Sequence, residues 1–315
     1  MADGDHDLQP TERARELVRG AYDVHVHVGP DVMPRRIDDV GLARRCAELG
    51  IEGFVLKSHY VPTAERAAVV RGVVPGVQAL GSITLNRAVG GMNAFAVEIA
   101  AREGARVVWM PTVDSPSETA GRSEPKPGQP LPAWAAIQHE LRQSGVEVEA
   151  VHVTGADGRV LPETRQVLQA VARHGLVLAT GHLGRDDILA VVEAAREEGV
   201  DQIVVTHPEF PSQNLSVEDQ QALARHGALL ERCFTTPHSG KVTWERLFEA
   251  TREVGPEHSI CSGDLGHHAY PAVEDGLALL ADRLLDGGFS EDEVRLMTVT
   301  NSRRLAGVPA EAGVR

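Results

Sequence analysis

Short apolar runs and amphipathic stretches alternate about eight times along the chain. The apolar runs have the length and composition of buried strands, and they are AYDVHVHV, EGFVLKSH, VQALGSITL, ARVVWMPT, LVLATGH, DQIVVTH, GALLERC and HSICSGD. The stretches between them carry apolar residues at helical spacing, and several end on glycine, which favours the left-handed conformation that closes a helix. Strands that alternate with helices of this length predict βαβ units and a parallel sheet.

Eight such units in a chain of 315 residues are typical of a (β/α)8 TIM barrel, which we expect to form a single domain over residues 1–315. An open doubly wound sheet is the alternative. The glycine-rich dinucleotide-binding turn that such a sheet often carries is absent after the first apolar run. The alternation therefore favours the barrel.

One segment interrupts the alternation after the fourth apolar run. Residues 113–132, VDSPSETAGRSEPKPGQPLP, are rich in proline, glycine and serine, and VEVEAVHVTGADGRVL follows. The second part predicts a β-hairpin across Gly155–Gly158. Long excursions from a barrel are usually functional loops, so we interpret residues 113–163 as an insertion that forms a lid over the site.

Composition narrows the class of partner. Hydrophobic residues make up 42% of the chain and charged residues 24%, which is ordinary for a globular protein. With 31 basic and 45 acidic side chains, the formal net charge of −14 argues against nucleic acid or an anionic membrane as a partner. No run reaches the ~20 apolar residues of a membrane span, and the acidic N-terminus lacks the features of a signal peptide. Three scattered cysteines argue against a disulfide framework, and together these features predict a cytoplasmic protein.

Two histidines stand one residue apart within the first apolar run, in DVHVHVGPD. Successive side chains of a strand point to opposite faces, so His25 and His27 share one face and Val24, Val26 and Val28 take the other. One face is apolar, and the other presents two nitrogen ligands side by side. We interpret the pair as half of a metal site.

Other polar residues stand at the ends of the remaining apolar runs, and these are Lys57, His59, His182, His207, Glu231 and Asp264. In a barrel the chemistry lies at the carboxyl ends of the strands, where these side chains converge. Buried polar groups must be paired or coordinated, and imidazole with carboxylate suits zinc or a similar transition metal. A metal with an open coordination position ionises bound water near neutral pH.

Lys57 lies on the face of His59 and points into the same mouth of the barrel. Three interpretations stay open: an ion pair with Glu231 or Asp264, a cationic contact to substrate, or a carbamylated side chain that bridges two metals. Carbamylation is required for ligation, because an ammonium group cannot bind a metal.

The second group of candidates lies on the substrate side of the site. We assign His59, Glu231 and His267 to substrate binding. Glu231 has two alternatives, the orientation of a histidine and a buried ion pair. We expect Lys241, after TTPHSG, to lie at the surface.

The ordered set of His25, His27, His182, His207 and Asp264 resembles the amidohydrolase superfamily of metal-dependent hydrolases. The tail GFSEDEVRLMTVTNSRRLAGV is similar to the terminal helix of that superfamily, with Ser302 where proline is usual. The chain also looks like a separate branch of that superfamily in the stretches GPDVMPRR, VLKSHY, GGMNAFAVEIA and VVWMPT. The likeness spans about residues 20–308.

The resemblance implies a distorted (β/α)8 barrel with one or two divalent metal ions, zinc being preferred over manganese or iron. His25, His27 and Asp264 would hold the buried metal, His182 and His207 would hold the exposed one, and Asp264 would also take a proton from the attacking hydroxide. Binuclear members often draw a bridging lysine or glutamate from strand 4. Strand 4 of this chain, RVVWMPT, offers neither, so Lys57 is the candidate substitute.

These features predict a hydrolase that uses metal-activated hydroxide to open an amide, lactam, lactone or ester-like bond of a small molecule. A metal-dependent phosphoesterase, a decarboxylase on the same barrel, and an inactive metal-binding or ligand-binding protein are the alternatives. Aromatic residues make up only 4% of the chain, which favours a small polar substrate. Barrels of this type often dimerise, so a homo-oligomer is compatible with the sequence.

Overall fold

Eight parallel strands form one sheet in which neighbours in space follow the order of the chain. A computed structural model describes residues 8–119, 133–146 and 149–308. The strands are β1 (Tyr22–Val26), β2 (Gly53–Leu56), β3 (Gln78–Thr84), β4 (Ala105–Trp109), β5 (Val177–Ala179), β6 (Gln202–Val205), β7 (Leu229–Cys233) and β8 (Ser259–Ser262). Each strand lies within one of the eight apolar runs.

Hydrogen bonds between the two ends of the sheet close it into a barrel. The amide of Asp264 donates to the carbonyl of His25 at 2.9 Å, and the amide of His27 donates to the carbonyl of Leu265 at 2.8 Å. Val26 and Leu265 pair in parallel there. The predicted (β/α)8 barrel is therefore confirmed.

Helices follow the strands and cover the outside of the barrel. The α-helices of the described residues are α1 (Glu12–Leu17), α2 (Asp39–Leu49), α3 (Ala64–Val73), α4 (Ala94–Arg102), α5 (Pro116–Thr119), α6 (Ala133–Gln143), α7 (Pro162–Arg173), α8 (Arg185–Glu197), α9 (Val217–Arg225), α10 (Thr235–His238), α11 (Trp244–Val254), α12 (Gly276–Asp286), α13 (Glu291–Arg295) and α14 (Asn301–Ala306). Ser216 begins α9 with a capping box, in which its side chain accepts from the amide of Asp219. None of the helices within the described ranges is long and apolar enough to cross a bilayer.

Apolar side chains form a core inside the barrel and further layers between strands and helices. The inner core includes Val55, Val107, Trp109 and Val177. The outer layers pack strand residues against helices, as Leu56 packs with α2 and α3, and Leu178 with α7 and α8. The apolar inner core fills the barrel interior toward the amino ends of the strands, and the polar site residues lie at the carboxyl ends.

The segment after β4 differs in part from the expectation. The predicted hairpin forms only as a tight turn, in which Gly155 donates to the carbonyl of Arg159 at 2.8 Å and Thr154 pairs with Val160. The first arm of the hairpin does not form a strand in the residues described from 149 onward. The amide of Val151 bonds instead to the carbonyl of Asp114 at 2.8 Å. Residues 120–132 and 147–148 lie outside the described residues, so the lid over residues 113–163 stays a prediction.

Candidate metal centre

A bulge in β1 aims the two histidines of HVH into the mouth of the barrel. Asp23 pairs with Phe54 of β2 and Val26 pairs with Leu56, so β1 holds one residue more than β2 between these pairs. The expectation that Val24 shares a face with Val26 and Val28 is therefore wrong. Val24 lies in the inner core, whereas Val26 and Val28 pack outside.

Asp23 supports this bulge from beneath. Its carboxylate accepts from the amide of His25 at 3.1 Å and from the amide of Gly263 at 3.1 Å, which ties β1 to the end of β8. Burial raises the pKa of Asp23 to about 7. Sequence patterning did not single out this residue.

His25, His27 and Asp264 converge at the carboxyl end of the barrel. Asp264 Oδ1 lies 2.9 Å from His25 Nε2 and 3.3 Å from His27 Nε2. One ligand atom from each residue lies within 4.8 Å of the other two. Such a separation allows all three side chains to bind a single cation.

The backbone at Asp264 is held in a conformation that few residues adopt. Its φ of +50° lies in the left-handed region. The following Gly266 has a φ of +153°, and a Cβ added there would lie 1.9 Å from the carbonyl oxygen of His27. The chain after β8 can pass this close to β1 only because residue 266 is glycine.

His182 and His207 follow β5 and β6 on the opposite side of the mouth. Their ring centroids lie 5.0 Å apart, and the ring of His207 lies 6.2 Å from that of His25. His182 Nδ1 lies 3.3 Å from Glu118 Oε1, and His207 Nδ1 is buried without a hydrogen-bond partner. His207, like Asp264, has a positive φ, here +25°.

Lys57 is buried in the floor of the site at the end of β2. Its Nζ lies 2.9 Å from His25 Nε2 and 4.2 Å from the centroid of the Trp109 ring, and the residue is 2% exposed. Burial lowers the pKa of this amine. Trp109 belongs to β4, the strand from which the resemblance implied a bridging ligand.

Glu231 lies beneath His25 instead of on the wall of the site. Its Oε1 is 3.0 Å from His25 Nδ1 and accepts from the Ser262 hydroxyl at 2.8 Å. The Glu231 carboxylate accepts the proton of His25 Nδ1, which directs Nε2 into the site. Of the interpretations of Glu231, its position favours the orientation of a histidine.

His59 is fixed by a chain of hydrogen bonds that sequence patterning missed. Its Nδ1 lies 2.9 Å from the Thr112 hydroxyl, which accepts from the Asn86 amide at 2.7 Å. A proton donated by the Thr112 hydroxyl to His59 Nδ1 would put the proton of the imidazole itself on Nε2.

A cavity of about 270 Å³ opens directly above the centre. The sequence candidates on its wall are His27, Lys57, His59, His182, His207, Asp264 and His267. The wall also contains Lys241, which is exposed as expected. It further includes residues from loops and from α10 that were not expected there: Met33, Arg35, Phe210, Thr235, Ser239, Ala269 and Tyr270. Arg35 belongs to GPDVMPRR, which had drawn attention only as part of the family likeness.

Electrostatics keep most of the imidazoles neutral and the carboxylate charged. Burial lowers the pKa of four site histidines, namely His27, His59, His182 and, to about 3, His207. Burial alone would raise the pKa of Asp264, but its contacts with His25 and His27 hold it well below the usual value. Neutral imidazole and ionised carboxylate are the forms that bind metals.

This donor set fits a divalent transition metal. It combines imidazole nitrogen with carboxylate oxygen, and the unpartnered, buried Nδ1 of His207 is a donor atom that the protein itself leaves unused. Lys57 fits as a ligand only after carbamylation. Fold and site together define a (β/α)8 barrel with a candidate metal centre of histidine and aspartate at the carboxyl ends of its strands.

The chain belongs to DUF6282, described as a family of unknown function, whose model matches residues 20–231. The matched range includes the site residues from His25 on β1 to Glu231 on β7, whereas Asp264 lies after the end of this range. No curated protein matches the chain by sequence.

Solved structures share the fold over nearly the whole chain. An amidohydrolase from Pseudomonas aeruginosa is 14% identical with a TM-score of 0.57, covering 95% of this chain and 98% of that one. The probable dipeptidase PvdM from the same organism is 12% identical with a TM-score of 0.62, and the match covers 94% of this chain and 96% of that one. A metallo peptidase from Rhodobacter sphaeroides is 15% identical with a TM-score of 0.57, and the match covers 92% of this chain and 99% of that one. The likeness to the amidohydrolase superfamily is thus confirmed at the level of the fold.

Proposed function

We propose that this protein is a metal-dependent hydrolase that cleaves an amide, lactam, lactone or ester-like bond of a small molecule. The observation that carries the proposal is the convergence of His25, His27 and Asp264, whose ligand atoms lie within 4.8 Å of one another. The names of the similar structures, an amidohydrolase and two peptidases, point to the same kind of chemistry.

In this proposal His25, His27 and Asp264 hold a divalent cation, with zinc as the first candidate. His182 and His207 hold a second one on the open side. Bound cations act as Lewis acids on a carbonyl and lower the pKa of coordinated water to near 7.

The surrounding side chains position the substrate and move the proton. His59 Nε2–H, oriented through Thr112 and Asn86, donates a hydrogen bond to the carbonyl oxygen of the substrate. Asp264 uses Oδ1 toward His25 and His27, so its other oxygen is left to accept the proton of the nucleophilic water. Glu231 keeps His25 in the tautomer that ligation requires.

Lys57 completes the proposed centre as a carbamate. Its Nζ adds to the carbon of carbon dioxide and releases a proton, which converts a buried amine into a carboxylate-like ligand. The 2.9 Å between Nζ and His25 Nε2 supports a role at the metal rather than at the rim.

Metal content is the first test. The full-length protein, purified without chelator, is analysed by elemental mass spectrometry beside Asp264→Ala. We expect at least one equivalent of a divalent metal in the wild type and a clear loss in the variant. A screen of lactones, esters, amides and phosphate esters follows. Absence of metal after addition of Zn²⁺ or Mn²⁺, or turnover of phosphate esters alone, would overturn the proposal.

A further inference from the structure

We propose that Glu118 is a positioning residue for the second metal of the proposed centre. Its carboxylate accepts the proton of His182 Nδ1 and thereby presents Nε2 of that ring to the cavity. The inference rests on the proposed function, because it assigns a support to one ligand of the same site. It also gives the segment after β4 a part in the centre. Sequence patterning did not single out Glu118.

The Glu118 carboxylate is buried behind the ring of His182. Glu118 lies on α5, and its side chain is 1% exposed. A buried carboxylate is stable only with charged or hydrogen-bonding partners that offset the loss of water. Two partners among the described residues are His182, whose Nδ1 lies 3.3 Å from Oε1, and Ser212, whose hydroxyl donates to Oε1 at 2.8 Å. His182 lines the cavity and Glu118 does not, so the carboxylate faces the ring from the protein side.

The ring nitrogen that faces Glu118 has no other use in this structure. His182 Nδ1 is buried and makes no aligned hydrogen bond, although Glu118 Oε1 lies beside it. A small rotation of the imidazole aligns the two atoms, and contacts of this kind often tighten when the ligand binds. Histidines that bind metals ordinarily donate their other ring N–H to a carboxylate, carbonyl or water, which fixes the tautomer. Glu118 is placed to do this for His182.

The same arrangement lies behind His25 in the other half of the centre. Glu231 is fully buried, its Oε1 lies 3.0 Å from His25 Nδ1, and this oxygen accepts the Ser262 hydroxyl at 2.8 Å. His25 and His182 are thus each backed by a buried glutamate that also accepts a bond from a serine. Two distant segments of the chain arrive at one geometry, which favours a shared role in presenting metal ligands over an isolated ion pair.

Backbone hydrogen bonds hold the segment after β4 against His182 independently of the carboxylate. The amide of His182 donates to the carbonyl of Pro111 at 2.9 Å, and the Ser117 hydroxyl bonds to the carbonyl of His182. Loss of the Glu118 charge should therefore change the orientation of the ring more than the path of the chain.

Glu118 also connects the two histidines assigned to the second metal. Ser212 belongs to the loop that follows His207. The oxygen that faces His182 is the one that accepts the Ser212 hydroxyl. A single carboxylate oxygen thus contacts the ring of one candidate ligand and the loop of the other. Its loss should weaken the second metal site and spare the site of His25, His27 and Asp264.

The first test measures Zn²⁺ binding to the full-length protein in bicarbonate buffer by isothermal titration calorimetry. Glu118→Gln keeps the size of the side chain and removes its charge. Glu98→Gln is the matched control, because Glu98 contacts a histidine ring outside the cavity, with 2.8 Å between its Oε2 and His174 Nε2. We expect one of two Zn²⁺ sites to weaken about 10–100-fold in Glu118→Gln, while the other site stays close to wild type. Glu98→Gln should leave both affinities unchanged.

The second test reads the tautomer of His182 directly and needs no metal. The protein is labelled with ¹⁵N-histidine and observed by NMR at about pH 8, where an imidazole of ordinary pKa is neutral. The two ring nitrogens then differ in shift according to which one carries the proton, and His182→Gln identifies the signals. We expect the proton on Nδ1 in the wild type and a loss of this preference in Glu118→Gln. A role of Glu118 in folding alone would leave the tautomer unchanged.

The outcomes separate this inference from the proposed function. A proton on His182 Nε2 in the wild type, or equal Zn²⁺ affinities of wild type and Glu118→Gln at two sites, would overturn the inference while the hydrolase stands. If the wild type binds no metal, the proposed function fails, and the tautomer alone decides whether Glu118 orients His182. The tautomer of the wild type also decides the inference if only one Zn²⁺ binds or if Glu118→Gln does not fold.

Discussion

The backbone amide of Asp264 donates a hydrogen bond of 2.9 Å to the carbonyl of His25. This bond joins the two ends of the sheet, and the adjacent bond from His27 to Leu265 reinforces it. The contacts that close the barrel are therefore the contacts that set the spacing of the three candidate ligands. Barrel closure and metal binding should consequently respond together to mutation.

Metal binding should stabilise the folded chain. A ligand that binds only the native state adds about 2.7 kcal/mol at a hundredfold excess over its dissociation constant. We expect Zn²⁺ or Mn²⁺ to raise the Tm of the wild type in a thermal scan, and a chelator to reverse the rise. Asp264→Asn should shrink this effect, whereas Asp157→Asn, at an exposed turn, should not. An unchanged wild-type Tm over a wide range of metal concentration would contradict the prediction.

Replacement of Lys57 should change the number of bound metals. The wild type, grown and purified with bicarbonate, should contain two equivalents, and Lys57→Ala should contain one or fewer, because the proposed bridging ligand is lost. Lys57→Arg is the matched variant, since it keeps a positive charge but forms no stable carbamate bridge. Elemental mass spectrometry gives the count. Two equivalents in Lys57→Arg would show that a cation suffices and that no carbamate is needed.

A buried ion pair behind the centre should hold His207 in place. Arg232 of β7 is fully buried and bonds to Glu209, two residues after the strained His207, and to Gln220 at 2.7 Å. Arg232→Met leaves the Glu209 charge buried without its partner, which typically costs about 3–5 kcal/mol. Urea denaturation should show this loss, and the affinity for the second metal should fall with it.

The double variant Arg232→Met with Glu209→Met is the control for that pair. It removes both charges, so it should recover most of the stability lost in Arg232→Met. If the losses of unfolding free energy in Arg232→Met and Glu209→Met simply add in the double variant, the two residues are not coupled and the prediction fails.

Two glycines with nearly the same backbone offer a clean comparison. Gly181 has a φ of +60° and Gly175 a φ of +59°. A Cβ added at Gly181 would lie 2.3 Å from the Met110 carbonyl oxygen, whereas one added at Gly175 meets nothing within 4 Å. Gly175→Ala should cost about 1–2 kcal/mol from the left-handed backbone alone. Gly181→Ala should cost clearly more in urea denaturation and should weaken metal binding through His182. Equal losses would show that the crowding at Gly181 relaxes freely.

Local patterns in the sequence were sufficient to predict the strands, but they could not reveal the bulge in β1. The number of strands and the polar residues at their ends follow from spacing and residue type, which act within a few positions. The bulge depends on how β1 pairs with β2, and it reversed the expected side of Val24. His25 and His27 still enter the same site, although His25 lies within the bulge between Asp23 and Val26.

Residues that depend on loop conformation were the hardest to predict. Arg35, Phe210 and Tyr270 reach the cavity from separate loops, and nothing in their local sequence indicates that they meet. Thr112 and Asn86 are ordinary polar residues until the fold places them behind His59. Glu231 and Arg232 stand next to each other on β7, yet one supports a ligand from inside the barrel and the other secures a loop outside it.

The bond between Asp264 and His25 also bears on how the protein is made. During synthesis the HVH segment leaves the ribosome long before the residues around Asp264 exist, so a growing chain carries two exposed imidazoles without their carboxylate. Pairing of such distant segments is slow, because the entropy of closing a long loop must be overcome first. A product truncated before Asp264 would lack both the closing hydrogen bonds and the third ligand. In the proposed centre, the metal assigned to His25, His27 and Asp264 would thus bind only after the segment around Asp264 has been made and has closed the barrel.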